Sequence, residues 1–141
     1  MPDEDNAALK LLTDPPSKRH LIASIDQLAI SADAKALLHD LAAITIEVAG
    51  KLVAAGRKIL AFIFDLMKRF PNTAFGLIVA LVISTLVASI PLLGLVLGPL
   101  LTPIILAFGI GAGALADLHG PEIRARVAQL ETHFSEVSGQ R

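Results

Sequence analysis

Catalysis needs nucleophiles, bases, acids or metal ligands at short spacing, and this chain of 141 residues offers few. Its four histidines, His20, His39, His119 and His133, are scattered and form neither an HxxxH nor an HExxH pattern. His119 stands two residues from Asp117. Such a pair can titrate or hold a metal ion, but a solvated loop histidine is the simpler reading. His39, followed by Asp40, reads as surface. Ser84, Thr85 and Ser89 have no acid or base beside them. Their hydroxyls are expected to bond to backbone carbonyls one turn back. The glycines of the run from Gly109 to Gly113 lack the preceding strand, the full spacing and the following acid of a dinucleotide loop. The absence of cysteine excludes disulfides, thiolate metal sites and cysteine nucleophiles. A net charge of −1, with few charges of mixed sign, lacks the basic footprint of a nucleic-acid binder. The expectation is a protein that is no enzyme and holds no cofactor and no metal.

What the sequence emphasises instead is hydrophobicity. From Phe70 to Ala116 there are 47 consecutive residues without Asp, Glu, Lys, Arg or His. A single membrane span needs about 20 apolar residues, so the run is roughly twice that length. Pro91, Gly94, Gly98, Pro99 and Pro103 interrupt its middle with residues that end or bend helices. The reading is an apolar helical hairpin, transmembrane or re-entrant, over residues 71–118. Its arms are expected at about Thr73–Ile90 and Leu100–Leu118, with the tip between Ile90 and Pro103. The first arm is small at every fourth position, Gly76, Ala80, Ser84 and Ala88, a pattern that lets helix backbones approach closely in lipid. Gly109 and Gly113 offer a second small face. These positions are the expected helix-packing seam, toward the other arm or another subunit. Over thirteen residues the tip resembles the proline knot of oleosins, because Pro99-Leu-Leu-Thr-Pro103 matches its closing P-x3-P. Pro91 is one residue too far upstream and no serine precedes Pro99, so the family is not assigned.

Around the hairpin the chain divides into an acidic, flexible tail over residues 1–16, an amphipathic helical region over 17–70, and a C-terminal amphipathic helix within 119–141. The tail lacks the basic start and apolar core of a signal peptide. Ser17 is the expected N-cap of a helix over about 18–30, and Ser31 that of a second. From Ala32 to Phe70 nothing but Gly50 and Gly56 interrupts helical periodicity, which predicts one long helix. Asp26, Asp33, Asp40 and Glu47 recur every seven residues, and Lys51, Lys58 and Asp65 continue the interval after a shift of four. Glu47, Lys51, Lys58 and Asp65 are therefore candidates for a solvated stripe, a seam between subunits or a pore lining. Ile123, Val127, Leu130, Phe134 and Val137 space as one face of the last helix.

The fold class expected is all-α, in an integral membrane protein with a long amphipathic helix ahead of the hairpin. Lys51, Arg57, Lys58, Lys68 and Arg69 precede the hairpin, and Arg124 and Arg126 follow it. Basic residues at both feet place both termini in the cytoplasm, with a bacterial inner membrane the expected site. The expected partners are the lipid bilayer, further copies of the chain and a larger membrane complex. The role expected is a self-associating membrane scaffold or accessory subunit. The alternatives are a holin-like pore and a membrane-shaping wedge.

Overall fold

Serine caps start the first two helices, as their positions ahead of apolar stripes predict. Ser17 Oγ accepts the amide of His20 at 3.1 Å and opens α1 (Lys18–Asp26). Ser31 Oγ accepts the amide of Ala34, also at 3.1 Å, and opens α2 (Ala32–Ala42), with Asp33 in its first turn. The structure, a computed structural model, describes residues 16–70, 75–109 and 121–137. The acidic tail up to residue 15, Gly113 and the Asp117/His119 pair lie outside the described residues. Asp26 ties α1 to α2, receiving His39 Nε2 on its carboxylate and Lys35 Nζ on its carbonyl, each at 2.9 Å.

The single helix expected from Ala32 to Phe70 does not form. It stops at Ala42, and a small antiparallel hairpin, β1 (Ile46–Val48) and β2 (Lys51–Val53), takes the place of its middle. Thr45, Ile46, Val48 and Val53 are β-branched and fit a strand better than a helix. Ala49 and Gly50 turn the chain with φ of +54° and +81°, the two positive values of a type I′ turn. Val48 pairs with Lys51 and Glu47 with Leu52, so Glu47 and Lys51 fall on opposite faces of the ribbon. The chain resumes as α3 (Ala55–Arg69), which ends in Lys68 and Arg69, with Pro71 soon after.

The apolar stretch gives two antiparallel helices, α4 (Phe75–Ser89) and α5 (Pro91–Ala107), with Ile90 alone between them. Ile90 is extended (φ −124°, ψ 105°), the conformation a following proline enforces, and Pro91 sits in the first turn, where a missing amide costs nothing. The turn is therefore at Ile90 rather than across Ile90–Pro103, and the second arm begins nine residues earlier than Leu100. Pro99 and Pro103 lie inside α5 and leave the carbonyls of Leu95 and Pro99 without helical partners. Last comes α6 (Pro121–Val137), which buries Ile123, Val127, Leu130 and Phe134.

The fold is all-α apart from the two short strands, with six helices among the described residues. α4 is its centre. Ile78 to Ile83 are buried without a break, because α3, α5 and α6 each pack on a different side of it. A helix apolar all round belongs in an interior, and α4 finds one within its own chain. α5 packs on α4 and α2, where Leu93, Leu97 and Ile104 are buried. Among the described residues no helix is long and apolar enough to cross a membrane. α4 has 15 residues and α5 has 17, lengths of about 22 and 26 Å, against about 30 Å of hydrocarbon.

Candidate functional site

The outer face of α5 is the feature that packing does not explain. Pro91, Leu95, Pro99, Thr102 and Leu106 are exposed, and their spacing puts them on one side of the helix. Leu95 is 79% exposed and Leu106 74%, values unusual for large apolar side chains. Exposed Pro103 widens the stripe toward α2, where Leu37, Leu106 and Ala107 line a groove of about 460 Å³ with Asp33 and Ala36 on its α2 side. No side chain of α5 carries a charge. The helix itself supplies no acid or base to this surface, which can take up apolar surface.

At the open end of the hairpin the phenyl rings gather. Phe75 stacks on Phe64 of α3 at 5.8 Å between centroids and meets Phe108 edge-on at 5.9 Å. Gly76 makes room for Phe108, whose Cβ and ring would lie 2.9 Å from a methyl group placed there. Ala80 is fully buried, and Ser84 Oγ donates to the carbonyl of Leu81 at 3.2 Å. Ala88, the fourth small position, is exposed near the tip, and Gly109 follows α5 with φ +67°. At Gly76 and Ala80 the small face of α4 is thus filled by this chain's own side chains. At Gly76 the neighbour is Phe108 of the same chain.

Nor do the four candidate stripe residues share one helix. Glu47 and Lys51 lie on the two strands, and Lys58 and Asp65 on α3. Asp65 accepts from Arg69 Nε at 2.8 Å, an i,i+4 pair on one face of α3. Lys58 instead reaches across to α6, where its Nζ donates to His133 Nε2 at 3.1 Å. Nothing in the sequence pairs two residues 75 positions apart, so this contact was not foreseen. Burial and the neighbouring Lys58 ammonium hold His133 below the usual imidazole range, partly opposed by Glu136. Burial also lowers Lys58.

The other polar groups that gather among the described residues are tied to one another. A cleft of about 380 Å³ between α1 and α3 contains His20, Ser24, Asp65 and Lys68. Ser24 Oγ is committed to the carbonyl of His20 at 3.1 Å, and Asp65 to Arg69, so no nucleophile faces a base there. No group of three metal-ligating side chains occurs among the described residues. Comparisons with protein families, with curated proteins and with solved structures find no match. The site must be read from its own chemistry.

Proposed function

We propose that the chain is a non-enzymatic, membrane-associated scaffold that seats the outer face of α5 in the apolar zone of a bilayer. The observation that carries this is the uncharged stripe of Pro91, Leu95, Pro99, Thr102 and Leu106, exposed along a whole helix. Burying one leucine removes about 1.5–3 kcal/mol of unfavourable exposure, so two give a substantial drive toward lipid. The freed carbonyls of Leu95 and Pro99 favour the shallow, partly wet headgroup boundary over the dry centre. The lengths of α4 and α5 support a re-entrant or interfacial wedge rather than a pair of full spans. Exposed Lys68 and Arg124 suit contact with anionic headgroups, and the basic feet favour the cytoplasmic leaflet. Self-association would then follow from crowding on the surface and need not use the small face of α4. No observation favours a conduit, since Glu47, Lys51, Lys58 and Asp65 do not form one continuous row.

Flotation of the full chain with vesicles containing anionic lipid tests the reading. The wild type should rise with the vesicles. Leu95→Glu combined with Leu106→Glu should reduce binding more than about tenfold while leaving helical content unchanged, because both side chains project from the fold. A wild type that stays with the soluble fraction, or a double variant that floats equally well, would remove the proposal.

A further inference from the structure

We infer that Lys58 and His133 form a latch, which clamps α6 over α4 while the imidazole is neutral and lets go when the imidazole takes up a proton. Its purpose, exposing a second apolar face to lipid, rests on the membrane reading above. Its operation rests on the geometry of the pair.

A lysine ammonium has three donors and no acceptor. The 3.1 Å contact is therefore a hydrogen bond only when His133 Nε2 carries a lone pair and the ring proton sits on Nδ1. Protonation puts an N–H where the acceptor was and sets two cations about 3 Å apart, at a site where both are partly shielded from water. His133 is half-buried and packs edge-on against Phe134 at 5.4 Å, itself fully buried, which limits how far the ring turns from Lys58.

What the latch holds shut is specific. α6 lays Ile123, Val127, Leu130 and Phe134 into the core, and Leu81 and Thr85 of α4 lie opposite Arg124, Val127, Ala128 and Glu131. Removing α6 would expose one side of a helix whose every side chain from Phe75 to Ser89 is uncharged. The charged groups that face the imidazole from the packed elements are few. Among the described residues α3 supplies Lys58, α4 supplies none, and α6 supplies Glu136, one turn along its own helix. Glu136 is exposed and offsets the cation only in part. The direction follows. The closed state binds the proton less well than the free imidazole, whose ordinary value is about 6.5. Closure is complete above that value and is lost as the pH falls from it toward the lower value of the closed state.

The natural absence of cysteine allows a direct measurement on the full chain in detergent micelles, with no bilayer present. Spin labels at Lys68→Cys on α3 and Thr132→Cys on α6, both exposed positions, report the separation of the helices. Between about pH 7.5 and about pH 5 the distance should lengthen by about 10 Å, one helix diameter. His133→Gln, whose amide oxygen accepts from Lys58 but cannot be protonated, should stay at the closed distance throughout. His133→Phe, which can neither accept from Lys58 nor be protonated, should give one distance at every pH should the glutamine variant not fold. Lys58→Glu turns the protonated ring into an attractive partner and should abolish acid opening. A constant wild-type distance overturns the latch, as does wild-type opening in a non-titrating variant or in Lys58→Glu. Opening that brings no gain in vesicle binding leaves the latch standing and overturns the membrane purpose instead.

Discussion

Ala49 is the clearest case of a residue in a conformation it does not prefer. It holds φ +54° in the turn between β1 and β2, where an L side chain with a Cβ costs about 1–2 kcal/mol. Gly50, at +81°, meets no such cost. A type I′ turn favours Asn ahead of Gly, and Ala49 is exposed, so Ala49→Asn changes nothing but the turn. It should raise stability by about 0.5–1 kcal/mol, read as a higher denaturant midpoint with unchanged slope. A lowered midpoint would mean that this turn is not formed in solution. Two pairs of charged residues belong to this scale. Asp65 with Arg69 is an i,i+4 pair and Asp26 with His39 a surface pair, neither a large source of stability.

At the scale of elements, the break between α2 and α3 depends on one close approach. A Cβ added at Gly56 would lie 1.7 Å from the carbonyl oxygen of Leu41 and 2.9 Å from its carbon, atoms of backbone that cannot swing aside. The Gly56 amide also donates to the carbonyl of Ile44 at 3.0 Å, fixing the first turn of α3 against the end of α2. Gly56→Ala should therefore cost about 3 kcal/mol or more. Gly98 is the control. A Cβ there meets nothing within 4 Å, so Gly98→Ala should be neutral or stabilise α5 by up to about 1 kcal/mol. Thermal unfolding of the two variants side by side decides the matter. Equal effects would contradict the packing of α2 on α3.

At the scale of the whole molecule, stability and exposure of α4 are linked through protons. His133 and Lys58 both bind protons less well when buried together than when exposed, so the folded state holds fewer protons than the unfolded state. Stability must then rise with pH wherever either group titrates. For His133 it is fully present above about pH 6.5 and declines as the pH falls through that value toward the depressed one. For Lys58 a further gain appears only as the pH approaches its ordinary value of about 10.5 from below. The unfolding midpoint of the wild type should fall on acidification through the imidazole range, and that of His133→Gln should fall less. Parallel curves would assign the acid sensitivity to the carboxylates.

How much of this was legible in the sequence follows from the range of the forces involved. Ser17 and Ser31 announced their helices because a cap acts over three residues. Ile123, Val127, Leu130 and Phe134 announced the buried face of α6 because a polar opposite face makes the period visible. The uncharged run to Ala116 announced a helical hairpin, and Pro91 marks its turn through a steric rule that reaches one residue back. Where the local signals competed, the sequence alone misled. Helical periodicity across residues 43–54 concealed a ribbon that forms because β-branched residues pair across a two-residue turn. Other features belong to tertiary structure alone. A run apolar on every face cannot say which side of α4 meets Phe108 or which side of α5 meets nothing, because periodicity needs contrast. The bond from Lys58 to His133 depends on two helices meeting across 75 residues, and only the packed chain brings them together.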